Sequence, residues 1–185
     1  TLVNDDGKWI GYNTDGIGYV RSLKEETGFS IQGKNLLVLG AGGAARGIVY
    51  ALSQEQPARI WIANRSVDKA VKLAADMSKF AETEGISLDR VHALPAVDFI
   101  VNTTNVGMHP YTDESPLDAS VFHEEMVVSD IVYTPRKTKF LAEAEARGCQ
   151  IHEGLGMFVY QGAYAFEYWT GRPAPIEEMR AAVDM

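Results

Sequence analysis

A doubly wound α/β fold, built on a mainly parallel sheet with helices on both faces, is predicted by three observations. Short, unbroken apolar runs alternate with stretches of helical spacing along most of the chain. Unbroken rather than alternating apolarity marks strands covered on both faces, as in parallel sheets. The third observation is a glycine-rich turn, Gly40–Ala45, placed between one such run and a helical stretch, as nucleotide-binding βαβ units require.

The elements follow in order. Thr1–Val3 and Lys8–Tyr12 are β-prone and flank Asn4-Asp5-Asp6-Gly7, whose Asp-Gly step is a strong hairpin signal. A strand beginning at residue 1 needs a partner, because an isolated two-stranded hairpin is marginal. A chain cut from a larger protein is therefore expected. Thr14 is placed to cap a helix with Ile17, Val20, Leu23 and Lys24 at helical spacing and Gly28 as its stop. Asn35–Leu39 is a buried strand, and Arg46–Gln54 a helix closed before Pro57. Arg59–Ala63 is a second buried strand. Ser66 is placed to cap a helix whose apolar face is Val67, Ala70, Val71, Ala74 and Met77. Residues 82–95 are the least regular, with a short strand expected near Val91–Ala93. Phe99–Asn102 and Met126–Ile131 are further apolar strands. Lys137–Arg147 is helical, Gln150–His152 a brief strand, Leu155–Thr170 a long apolar helix and Pro175–Val183 a last amphipathic one.

Composition narrows the function. The 185 residues are 46% hydrophobic and 23% charged, enough to bury a core without staples. Seventeen basic against 25 acidic residues give a net charge of −8, which argues against general nucleic-acid binding. A small anionic ligand needs only one local basic cluster. No apolar run is long enough to span a membrane. The single cysteine, Cys149, forms no internal disulfide and reads as an inert buried thiol in a cytoplasmic protein. His92, His109, His123 and His152 lack metal spacing, so no metal is expected.

The turn itself carries chemistry. Gly40, Gly42 and Ala45 fit G-x-G-x-x-G/A: a tight turn, close backbone approach to a pyrophosphate, and close packing of helix on strand. With Ala41, Gly43 and Ala44 they would cradle phosphates at the helix's positive end. In such folds the end of the second strand reads the ribose: an acid binds the 2′-hydroxyl of NAD, an arginine the 2′-phosphate of NADP. This chain has Asn64-Arg65-Ser66 there, and Lys69 one turn on. Arg65 offers a planar fork and Lys69 a point charge, so NADP is the expected cofactor.

At this point the sequence resembles the shikimate dehydrogenase family. The likeness runs through Gly11-Tyr12-Asn13-Thr14-Asp15-Gly16, the glycine turn and Asn64-Arg65-Ser66. It continues through Asn102-Thr103-Thr104 with Val106-Gly107-Met108, and Asp130 with Val132-Tyr133 and Pro135. It closes with Gly154-Leu155-Gly156-Met157 to Gln161, and Trp169-Thr170-Gly171. The resemblance implies a Rossmann-like NADP domain over residues 14–154. Residues 1–13 would be the end of a truncated substrate domain, and 155–185 helices returning to it. It implies reversible reduction of 3-dehydroshikimate to shikimate in aromatic amino-acid biosynthesis, by a monomer or homodimer. Asp15 would work beside a lysine and touch substrate. Tyr133 and Gln161 would be further substrate contacts, Ile131 and Gly154 neighbours of the nicotinamide, and Met157 a residue closing over it. The family's lysine and several other substrate contacts fall N-terminal to Thr1, and neither Lys8 nor Lys24 stands in its motif, so the chain alone is expected to be inactive.

Read from the residues alone, other roles stay open: a plain helix cap for Asp15, a half-buried tyrosine for Tyr133, a hydrogen bond to a neighbouring loop for Gln161. Two alternatives for the whole also stand, a quinate/shikimate dehydrogenase with looser cofactor choice and a folded but inactive nucleotide-binding module.

Overall fold

A computed structural model describes residues 1–183. Strands β1 (Leu2–Asp5) and β2 (Lys8–Gly11) form an antiparallel hairpin. Its turn residues Asp6 and Gly7 both have positive φ, 47° and 87°, the geometry that matches the twist of the flanking strands. Asn4 Oδ1 accepts from the Gly7 N–H at 2.8 Å. The chain then enters α1 (Thr14–Thr27), capped by Asn13 rather than Thr14: Asn13 Oδ1 accepts from the Gly16 N–H at 3.1 Å. Gly28, at φ 68°, ends the helix, a left-handed stop that glycine adopts without a Cβ penalty.

Six parallel strands follow: β3 (Asn35–Leu39), β4 (Arg59–Ala63), β5 (Thr83–Ile86), β6 (Phe99–Asn102), β7 (Val127–Asp130) and β8 (Gln150–His152). Their spatial order is β5-β4-β3-β6-β7-β8. The strand order reverses between β3 and β6, and such a switch point opens a crevice at the carboxyl ends of the strands. Helices α2 (Gly43–Ser53), α3 (Val67–Met77) and α4 (Lys139–Ala146) make crossovers, while α5 (Leu155–Thr170) and α6 (Ile176–Val183) end the described chain.

Successive residues of each strand feed opposite faces. Leu36, Val38, Ile60, Ile62, Phe99 and Val101 pack with α1, α2 and α3. Leu37, Leu39, Trp61, Ala63, Ile100 and Val128 pack with Phe140, Leu141 and Ala144 of α4. Each fully buried Leu, Ile, Val or Phe contributes roughly 1.5–3 kcal/mol, so the double coverage explains why the strands are apolar without alternation.

The expected strand near Val91–Ala93 is not there. Leu88–Ala93 is a 3₁₀ segment that buries Val91, and the edge strand beside β4 is β5. Its sequence, Thr-Glu-Gly-Ile, has neither alternation nor a β-branched run. Its Gly85 is required by close approach: a Cβ there would lie 2.3 Å from the Val71 backbone nitrogen of α3. The helix expected from Arg46 begins three residues earlier, inside the glycine turn. Among the described residues, no helix is long and apolar enough to cross a membrane.

Candidate functional site

The crevice at the switch point is a cleft of about 510 Å³ lined by Gly40–Gly42, Asn64–Ser66, Lys69 and Thr103–Val106 among others. Gly40 shapes its floor. Its φ is 108°, and a Cβ would lie 2.6 Å from Thr103 Oγ1. Thr103 is itself held by its hydroxyl and N–H, which donate to the Leu39 carbonyl at 2.6 and 2.9 Å.

Gly42 and Gly43 are different. A Cβ on either meets nothing within 4 Å, so the protein's own packing does not call for glycine there. Gly42 is the N-cap of α2, with no side-chain cap bond and no acidic residue in the first turn. The first N–H groups of α2 therefore face the cleft without a side-chain acceptor, and that cradle fits a pyrophosphate.

At the end of β4, Asn64 Nδ2 donates to the Ser66 carbonyl at 3.0 Å and fixes the turn into α3. Ser66 is the N-cap of α3, but its side chain makes no cap bond. Arg65, Ser66 and Lys69 are exposed, and among the described residues their side chains have no hydrogen bond or ion pair. Two cations and a hydroxyl thus border the cleft uncommitted, a donor set suited to a 2′-phosphate.

A second cavity, about 350 Å³, adjoins the first through Thr103–Asn105 and is lined further by Met108 and Ile131–Thr134. Gly154 backs it directly: a Cβ there would lie 2.5 Å from the Ile131 carbonyl oxygen. The structure therefore brings Ile131 and Gly154 together at this cavity. Met157 is partly buried against the core beneath.

Tyr133 is exposed and stacks on Phe158 of α5 at 4.8 Å between ring centroids. Gln161, three residues along the same helix, donates to the Phe158 carbonyl at 3.0 Å. Helices α1 and α5 cross closely, a Cβ on Gly18 lying 2.7 Å from the Gln161 nitrogen. Asp15 stands about one turn before Gly18, part-buried and without a side-chain partner among the described residues. Asp15 and Gln161 thus stand on the closely packed helices α1 and α5, and Tyr133 packs on α5, yet Asp15 and Gln161 line neither cavity. A larger groove of about 790 Å³ is lined by the packed helices α1 and α2. Its Arg21 and Lys24 are paired with Glu25 and Glu55 at 2.8 and 2.5 Å, which leaves little charge for an anion.

Sequence reading named no site role for Thr103, Thr104 and Asn105, which join the two cavities. The signal was available: three polar residues end an apolar central strand on the ligand side of the sheet. It also passed over Asp130, which is fully buried. Burial pushes its carboxyl up to about 6, outweighing donors from Val132, Thr138, Asn102 and Ile131.

Comparison with known proteins adds the family. Residues 22–143 match the shikimate / quinate 5-dehydrogenase family, and residues 154–183 the shikimate 5′-dehydrogenase C-terminal domain. A shikimate dehydrogenase (NADP⁺) of Geobacillus kaustophilus is 44% identical over 183 residues, covering 99% of this chain. The chain spans 66% of that relative's length. A shikimate dehydrogenase solved with NADP⁺ has a TM-score of 0.89 at 40% identity, covering 99% of this chain and 64% of that one. A shikimate 5-dehydrogenase from Listeria monocytogenes, solved with shikimate and NAD, has a TM-score of 0.92 at 36% identity, covering 98% and 66%.

Proposed function

Because the chain belongs to the shikimate / quinate 5-dehydrogenase family, we propose that it carries the cofactor-binding part of an NADP-dependent shikimate dehydrogenase. The observation that carries the reading is the pairing of an open glycine cradle at α2 with Arg65, Ser66 and Lys69 at the end of β4. Residues 14–154 are the nucleotide unit in this reading. Residues 1–13 and the helices from 155 onward belong with the substrate side. In support, the hairpin and the end of α5 pack on each other: Trp169 Nε1 donates to the Leu2 carbonyl at 2.9 Å, and Tyr12 stacks on Tyr168 at 4.3 Å.

When bound, NADP⁺ would accept the hydride in oxidation of the alcohol, and NADPH would donate it in the reducing direction. The chain's own residues orient and bind. The α2 N–H groups take the pyrophosphate, with Gly40, Ala41, Gly42, Gly43 and Ala44 giving the backbone room. Arg65, Ser66, Lys69 and Asn64 recognise the 2′-phosphate end. Thr103–Asn105, Ile131 and Gly154 wall the ring. Tyr133 and Gln161 hold substrate hydroxyls, and Asp15 keeps a lysine ammonium placed where the carbinol proton leaves. The substrate is shikimate, or 3-dehydroshikimate in the reducing direction, and the single, buried thiol Cys149 suits the cytoplasm. NAD in the Listeria neighbour supports a second reading, a quinate/shikimate enzyme with looser cofactor choice.

Calorimetric titration of NADP⁺ and NAD⁺ into the chain separates the two. A charge-assisted hydrogen bond from arginine contributes roughly 1.5–3 kcal/mol, so NADP⁺ should bind about one to two orders of magnitude more tightly. Arg65→Ala should close most of that gap and leave NAD⁺ affinity little changed. Equal wild-type affinities favour the looser enzyme, and loss of both nucleotides together in Arg65→Ala removes the 2′-phosphate assignment.

A further inference from the structure

The two loops that wall the second cavity leave different strands, and one buried pair of side chains ties them. Asp130 ends β7. Its Oδ1 accepts from the Val132 N–H at 2.9 Å and its Oδ2 from the Thr138 hydroxyl at 2.8 Å. Asn102 ends β6, and its Nδ2 lies 3.1 and 3.2 Å from the two carboxylate oxygens. The other end of the amide serves the second loop. Asn102 Oδ1 accepts from the Thr104 N–H at 3.0 Å and from its hydroxyl at 2.7 Å, and that hydroxyl accepts from the Val106 N–H at 3.1 Å. Both Asp130 and Asn102 are fully buried. A buried carboxylate is costly even when paired, and apolar packing often holds two loops at least as firmly. What a hydrogen-bonded pair adds is a fixed register between them. Thr104 on one side and Ile131–Tyr133 on the other are walls of the cavity that adjoins the phosphate cleft.

We infer that Asp130, acting through Asn102, is a positioning residue that sets the two cavity walls at the separation holding a nicotinamide ring. The inference rests on the NADP reading above. The tied loop also borders the phosphate cleft through Thr104, which a Cβ on Gly40 would meet at 3.1 Å, but Gly42 and Arg65 stand on the segments after β3 and β4, outside the tie. Its loss therefore acts first on the ring and much less on the adenosine phosphates.

The test uses NADPH and 2′-phospho-ADP-ribose, which lacks the nicotinamide, titrated into the wild-type chain, Asp130→Asn and Thr104→Val. In Asp130→Asn the truncated nucleotide should bind within about twofold of wild type, as expected for independent sites. NADPH affinity should fall about tenfold toward it, with loss of the bound nicotinamide's fluorescence change. General damage to the fold would weaken both ligands alike and overturn the inference. If Asp130→Asn does not fold, Thr104→Val decides, because it cuts one leg of the tie without uncovering the buried charge. The same selective loss, smaller in size, is expected. A wild-type gap between the two nucleotides that survives substitution overturns the positioning role, as does a wild type with no gap. A wild-type chain that binds neither nucleotide overturns the cofactor reading itself.

Discussion

At the scale of single residues, the start of α1 separates two jobs that one acidic side chain could have combined. Asn13 makes the cap bond, accepting from the Gly16 N–H. Asp15 sits in the first turn with its carboxylate uncommitted among the described residues, near the positive end of the helix. Its negative charge is worth about 0.3–1 kcal/mol to the helix, while Asn13→Ala should cost about 1 kcal/mol through the lost cap. In the full-length protein, Asp15→Asn should therefore leave thermal stability and NADP⁺ affinity nearly unchanged and lower kcat by about 10²-fold or more. Steady-state kinetics with shikimate, set beside a melting curve, reads both. A variant that turns over within about threefold of wild type would leave Asp15 with no catalytic part.

At the scale of elements, the glycine turn divides into residues whose Cβ position the fold closes and residues whose Cβ position it leaves open. Gly40 has φ 108° and no room for a methyl group beside Thr103, so Gly40→Ala should destabilise the protein. Gly42 has φ −91° and open space at its Cβ position. Gly42→Ala should leave stability unchanged or raise it by about 0.4–1 kcal/mol, through lower entropy of the unfolded chain. It should still weaken NADP⁺ binding strongly, because the methyl group would occupy the pyrophosphate's place. Melting curves and nucleotide titrations on the two variants check this; undiminished binding in Gly42→Ala would place the phosphates elsewhere. The same contrast explains what was legible in the sequence. β3, β4, β6 and β7 are short, mainly apolar runs buried on both faces, and burial of that kind is written directly in composition. β5 was missed because its Gly85 answers to a helix backbone across space, and Thr83–Ile86 has no pattern of its own. The cradle and the Arg65–Lys69 cluster were legible because local chain geometry builds them. The Asp130–Asn102 tie was not, since the partners stand 28 residues apart and meet only through sheet register.

At the scale of the whole molecule, two buried ionisable groups of opposite kind, Asp130 and His152, end the neighbouring strands β7 and β8. His152 of β8 anchors a polar chain that crosses the core. Tyr19 donates to Ser129 Oγ at 2.8 Å, Ser129 Oγ lies 2.8 Å from His152 Nδ1, and His152 Nε2 lies 2.8 Å from Ser22 Oγ. Glu26 follows at 3.6 Å from Nε2, held by Arg180 of α6 at 2.9 Å. Burial lowers the His152 pKa from 6.5 to about 4. The unfolded chain binds the extra proton first, so the stability this group confers is full above pH 6.5 and is lost as pH falls toward 4. Burial raises Asp130 from 3.8 to about 6. Here the folded state binds the proton first, so stability is greatest below 3.8 and is lost as pH rises through 6. The windows nearly coincide and the signs are opposite. Each shift is worth about 3 kcal/mol at 1.36 kcal/mol per unit, so in the wild type the two contributions offset each other between pH 4 and 6.5. Asp130→Asn removes one side of that balance. Relative to the wild type, the variant should lose about 3 kcal/mol of stability between pH 6.5 and 4, since the exposed carboxylates that also titrate there are common to both proteins. Urea unfolding at half-unit pH steps measures the difference. Parallel stability profiles for the two proteins would show that Asp130 titrates alike in the folded and unfolded chain, and the offsetting of the two buried groups would then be disproved.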